Sequence, residues 1–164
     1  VADDGDTNRT TETGSRPEAV AGRTADAVEQ LVELWISAGQ TVVPRLSAHQ
    51  LKALRTIGQR PELTLTGLAE RVGTALPAAS RLCDRLEAAG LLRRVPHPGN
   101  RRALHLLLTP LGTRVLMEIG ERRSQILAAV LTGMTPLQRR SFEEGLRAFQ
   151  RARDTSSAEF PPGA

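Results

Sequence analysis

The stretch Leu68-Ala69-Glu70-Arg71-Val72-Gly73-Thr74-Ala75-Leu76-Pro77-Ala78-Ala79-Ser80-Arg81-Leu82 decides the fold. Two helices that cross steeply through a tight turn need three things: a small residue where they touch, a Gly where the turn demands positive φ, and apolar residues that lock the second helix to the first. Ala69, Gly73, Ala79 and Leu82 supply these at the spacing of a helix-turn-helix, with Leu68 and Val72 as further core. Taken alone, the stretch is also met by two packed helices joined by a Gly turn. The residues that follow narrow the choice. Leu91-Leu92-Arg93-Arg94-Val95 is followed by a turn at Pro98-Gly99-Asn100, and then Leu104, Leu106 and Leu108 alternate with His105, Leu107 and Thr109. That pattern is a β-hairpin. A helix-turn-helix followed directly by such a hairpin is a winged helix, whose second helix enters a major groove while an Arg-bearing loop reaches the neighbouring minor groove. Between Ala78 and His105 lie six arginines (Arg81, Arg85, Arg93, Arg94, Arg101, Arg102) and two acids (Asp84, Glu87), so this window accounts for the +4 net charge of the whole chain.

Working outward, Val28, Leu31, Val32, Trp35 and Val42 mark one stripe of a long first helix ending near Val43-Pro44. A capping box at Ser47 and Gln50 opens a second helix over Ala48–Gln59. The third, with Leu65, Leu68, Ala69 and Val72, is introduced by Thr64 or Thr66 and closed by Gly73. The fourth runs from Pro77 to Ala89 and ends at Gly90. Thr109-Pro110 opens a fifth carrying Leu111, Val115, Ile119, Ile126 and Val130. A second capping box at Thr135 and Gln138 opens a sixth with Leu137, Phe142, Leu146 and Phe149. The expected fold is mainly α with a small β-hairpin wing. Residues 1–16 read as a disordered acidic leader, 17–46 as an N-terminal dimerisation helix and 47–109 as the winged helix-turn-helix. Residues 110–153 read as C-terminal dimerisation helices and 154–164 as a disordered tail. The terminal helices have more apolar surface than a winged helix of this size covers, which argues for pairing with a second copy.

The segments Leu65 to Val72, Ser80 to Arg94, Asn100-Arg101-Arg102 and Leu108-Thr109-Pro110-Leu111-Gly112, with Met134-Thr135-Pro136, resemble the MarR family of winged-helix transcriptional regulators over roughly residues 25 to 150. The resemblance implies a homodimer that binds an inverted-repeat operator in double-stranded DNA. It also implies repression relieved by a small aromatic or phenolic ligand. Where the family's wing usually has an acidic residue this chain has Asn100, so an ion pair aiming a wing Arg becomes a neutral hydrogen bond, about half as strong. The helix start at Ala75 to Ala78 lacks the hydroxyl and basic side chains common there.

Turning the fourth helix at 100° per residue with Leu82 inward puts Ala79, Cys83 and Leu86 toward the core and Pro77, Ser80, Arg81 and Asp84 outward, with Arg85 on the flank. Arg81 is the candidate for guanine O6/N7, and the competing reading pairs it with Asp84 at i,i+3 and leaves it only phosphate. Asp84 is expected to orient Arg81 or Arg85. Ser80 suits a base or phosphate, and Leu76 or Ala78 a thymine methyl. In the wing, Arg101 and Arg102 suit the backbone and minor groove, and the resemblance favours Arg102 for insertion. Trp35, Leu54, Val115 and Ile119 are the effector-pocket candidates by family analogy, with core packing as the plainer reading for Trp35.

Other chemistry is weaker. With no Tyr, one Trp and three Phe, the core must be aliphatic. One cysteine forms no internal disulfide, and no run approaches the roughly 18 apolar residues of a membrane span, so a reduced cytoplasmic protein is expected. Cys83 falls on the inward stripe and reads as a buried, inert thiol. His97 and His105 flank the wing and read as facing solvent or phosphate, and His49 as sitting in an exposed first turn. No His/Cys/carboxylate set has metal spacing, no phosphate loop or nucleophile-base motif occurs, and no cofactor is implied, so an enzyme is not expected. The alternatives are a winged-helix protein-interaction module without sequence-specific DNA binding and a thiol-based redox-responsive regulator.

Overall fold

The computed structural model describes residues 16–60, 62–97 and 100–159, with the side chains of residues 97, 100–103 and 156–159 left out. The elements run α1 (Pro17–Gln40), α2 (Ala48–Gln59), α3 (Leu65–Val72), α4 (Leu76–Ala88), β1 (Leu92–His97), β2 (Asn100–Leu108), α5 (Pro110–Thr132) and α6 (Pro136–Glu159). The chain is mostly helical with one two-stranded antiparallel sheet, as the sequence pattern predicts. It divides into two units at Ala38/Gly39. No helix among the described residues is long and apolar enough to cross a membrane.

Helix ends follow from local chemistry. Ser47 and Gln50 form the reciprocal capping box of α2, and Thr135 and Gln138 form a second one before α6. Thr64, rather than Thr66, caps α3 by accepting from the Gly67 N–H. α1 stops at Gln40, three residues before the expected end. Val43 precedes a proline, which disfavours the helical region for it, and Val42 leaves the helix to bury its side chain at 1% exposure. At the other end α6 runs on to Glu159, past Arg153 where the sequence reading stops it. Thr155 there bonds back to the Arg151 carbonyl at 3.0 Å, a contact compatible with helix, and the first residue lacking a backbone donor is Pro161. The expected leader falls on residues outside the description, apart from Arg16.

The second unit holds the core, an aliphatic cluster in which Leu54, Leu68, Leu82, Leu86, Leu91, Leu106, Val115 and Ile119 are nearly or fully buried. The hairpin pairs Leu92 with Leu108 through Pro96 with Leu104, and an irregularity at Pro96/His97 brings His97 opposite Asn100. A short third segment adds to its edge. Thr64 bridges to His105, and the Leu106 N–H donates to the Leu63 carbonyl at 2.8 Å. His105 is therefore 6% exposed, not facing solvent or phosphate as the strand alternation suggests. His49 is exposed in the first turn of α2.

Candidate nucleic-acid interface

The helix-turn-helix is built from two helices and the hinge that joins them. At the end of α3, Gly73 adopts φ 75°, and the Thr74 and Gly73 amides donate to the Ala69 and Glu70 carbonyls, a Schellman closure that only a residue without Cβ forms cheaply. The Lys52 Nζ donates to the Val72 carbonyl at 2.9 Å, adding a cation at the negative end of α3. Two residues later α4 begins. Its inner stripe is Ala79 and Leu82, Cys83 and Leu86, all buried. Because that stripe is fixed in the core, the opposite face is fixed outward. Leu76, Pro77, Arg81, Asp84 and Arg85 are exposed there, and Ala78 and Ser80 are half-buried.

The charges on this face are distributed differently from the sequence expectation. Asp84 pairs with neither Arg81 nor Arg85. It accepts from Arg94 Nη2 at 2.7 Å, while Nη1 of the same guanidinium donates to Glu87 at 2.6 Å. The Arg94 backbone N–H reaches the other Glu87 oxygen at 3.2 Å, and Nη2 also lies 3.4 Å from the Ser80 carbonyl. The bond to Asp84 is the main reason the Arg94 pKa is raised, with burial opposing it. Among the described residues Arg81 and Arg85 carry no ion pair, so the i,i+3 Arg81–Asp84 pairing is overturned. In the sequence alone Arg94 is one more cation of the window. Its signal was a carboxylate seven residues upstream, across the Gly90 turn.

A second joint fixes the end of α4. Gly90 at φ 70° lets the Leu91 and Gly90 amides close on the Leu86 and Glu87 carbonyls. The Thr109 hydroxyl caps α5 by accepting from the Gly112 N–H and donates to the Gly90 carbonyl at 2.6 Å. The segment Leu108 to Gly112 thus ties the end of the outward helix to the start of α5.

The remaining candidates are distributed as follows. Asn100, Arg101 and Arg102 belong to β2, but their side chains lie outside the description. Leu54, Val115 and Ile119 are packed in the core at 0%, 2% and 1% exposure. Trp35 lies on α1 and is partly exposed, at 39%. A separate open cavity between α2, β2 and α5 is lined by Arg55, Gly58, Gln59, Leu108, Leu116 and Met117, among others. Cys83 is fully buried, and burial raises its thiol pKa in spite of the nearby Arg94. Among the described residues no group of His, Cys, Asp and Glu is arranged to hold a metal.

This is the architecture of a winged-helix protein, and the comparisons show which regulators it is similar to. A family model described as MarR family matches residues 46–104. The HTH-type transcriptional regulator YfiV of Bacillus subtilis is 26% identical over 114 residues, which is 70% of this chain and 71% of that protein. The crystal structure of RV1404 from Mycobacterium tuberculosis is 28% identical with a TM-score of 0.78, over 84% of this chain and 94% of that one. A MepR mutant from S. aureus, in a structure described as bound to oligodeoxyribonucleotide, shares the fold at a TM-score of 0.64 and 13% identity, covering 81% of this chain and 96% of that one. Over residues 46–104 the chain is similar to the MarR family, and its fold is shared with solved MarR-family structures. Its homologues are transcriptional regulators and not enzymes.

Proposed function

We propose that this chain is a cytoplasmic, homodimeric, sequence-specific DNA-binding transcriptional regulator, a repressor that binds a pseudo-palindromic operator. α4 enters the major groove, and the far end of the hairpin, with Asn100, Arg101 and Arg102, meets the minor groove and backbone. The observation that carries this reading is the outer face of α4, where Arg81 and Arg85 are exposed and, among the described residues, without an ion pair, on a helix whose other face is locked in the core. Arg81 reads guanine by its planar fork. Ser80 and Arg85 take base or phosphate, Leu76, Pro77 and Ala78 supply apolar contact, and Asp84 stays turned to Arg94. The MepR structure with bound oligodeoxyribonucleotide supports this use of the fold.

Pairing is supported by α6. All its described side chains are exposed except Phe142, which is half-buried, and Leu137, Leu146 and Phe149 are 73%, 40% and 66% exposed. α1 likewise leaves Val28, Val32 and Ile36 open. A second copy covers such surface and sets two α4 helices about one helical turn of DNA apart, roughly 34 Å. Relief by a small aromatic or phenolic ligand belongs to the same reading. One open space among the described residues that suits it is the cavity at Arg55, whose cation fits a phenolate or carboxylate.

The deciding experiment is a gel shift with duplex from the gene's own upstream region. Retardation there, but not with scrambled duplex of equal length, is the expected result. Equal behaviour toward both selects the protein-interaction alternative.

A further inference from the structure

α4 carries two arginines and two acids, so its own side chains sum to no net charge. On an isolated helix Asp84 has Arg81 three residues before it, a spacing at which opposite charges pair. The fold diverts that pairing. Arg94 comes from β1, across the Gly90 turn, and one planar guanidinium takes both acids at once at 2.7 and 2.6 Å. Asp84 and Glu87 keep side-chain exposures of 57% and 39%, and ion pairs in such surroundings add little to stability because water screens them. Their larger effect is on which cations remain available.

We propose that Arg94 is a positioning residue for DNA binding. It withholds Asp84 and Glu87 from the outer face of α4, so that Arg81 and Arg85 meet the duplex unpaired, and it holds β1 at a fixed offset from α4. This inference rests on the DNA-binding reading above. Without Arg94, Asp84 turns to Arg81 and two uncompensated carboxylates stand on a face that must approach phosphate. The damage therefore comes from the acids and is undone by neutralising them.

The test measures fluorescence anisotropy of a labelled duplex from the gene's own upstream region, with thermal melting of each protein alongside. Arg94→Ala is expected to weaken binding by about 10-fold or more, the scale of losing one arginine-base contact. Adding Asp84→Asn and Glu87→Gln to it should restore affinity to within about 3-fold of the original, about 0.65 kcal/mol on the scale of RT. Asp84→Asn with Glu87→Gln in the presence of Arg94 should bind at least as tightly as the unaltered protein, and this variant decides the matter if Arg94→Ala does not fold. Unchanged affinity in Arg94→Ala overturns the inference. So does a triple variant as weak as the single one, which makes Arg94 itself a phosphate ligand or a purely structural group, and so does a loss of binding in the double variant. Failure of the unaltered protein to bind any duplex instead sinks the DNA-binding reading.

Discussion

At Gly112 a methyl group decides whether the winged helix and α5 fit together. A Cβ built there falls 2.1 Å from the Leu91 carbonyl oxygen, a backbone atom held by the Gly90 turn and by the Thr109 N–H. Nothing flexible is available to give way. Gly112→Ala is expected to cost about 3 kcal/mol or more by denaturant titration, at or beyond the upper end of ordinary overpacking, and wild-type stability would contradict this packing. Cys83 is the opposite case, a reactive group made quiet. Burial raises its pKa, so the folded state favours the thiol. Its contribution to stability is complete below the pKa of the unfolded thiol and is lost as pH rises from there through the folded value. In native protein iodoacetamide should label Cys83 far more slowly than after denaturation, and rapid native labelling would revive the thiol-sensor reading. The inward stripe that buries Cys83 was legible from a period of 100° per residue. The partner of Arg94 was not, because it depends on how a strand returns across a turn rather than on position along one helix.

Elements are delimited here by caps, and caps are largely readable. Ser47 with Gln50, Thr109 before Pro110, and Gly73 after Val72 each announce an end that the structure contains. Where no cap exists, the reading slipped. The end of α1 was set by Val42 joining the core, which periodicity does not reveal. His105 was misread for a related reason. Alternation within the hairpin says nothing of the Leu63-Thr64 segment that pairs with its edge. α4 itself starts at Ala75 with no side-chain cap. Pro77 has no N–H and the Ala78 amide already donates to the Ala75 carbonyl at 2.9 Å, so Ala75→Ser offers that amide a second acceptor and is expected to raise stability by about 0.5 kcal/mol, the low end for such caps, measured by thermal melting. No gain would mean that the carbonyl alone satisfies it.

For the molecule as a whole, the claim is that two copies present two cationic faces to one duplex. Phe149→Glu places a charge on the open face of α6, and sedimentation should then show a shift from dimer toward monomer, with operator affinity falling in parallel. An unshifted dimer would move the interface away from α6. The effector-pocket candidates were the least legible part of the sequence, since Leu54, Val115 and Ile119 have the composition of a pocket wall and of a core alike. The most direct test of the central claim is the salt dependence of operator binding by the intact protein. For six to ten phosphates neutralised, affinity should fall about a thousandfold or more between roughly 50 and 200 mM salt, with a linear log–log slope near −0.9 per phosphate. A flat response would contradict it, because a face built on arginine cannot bind DNA without releasing counterions.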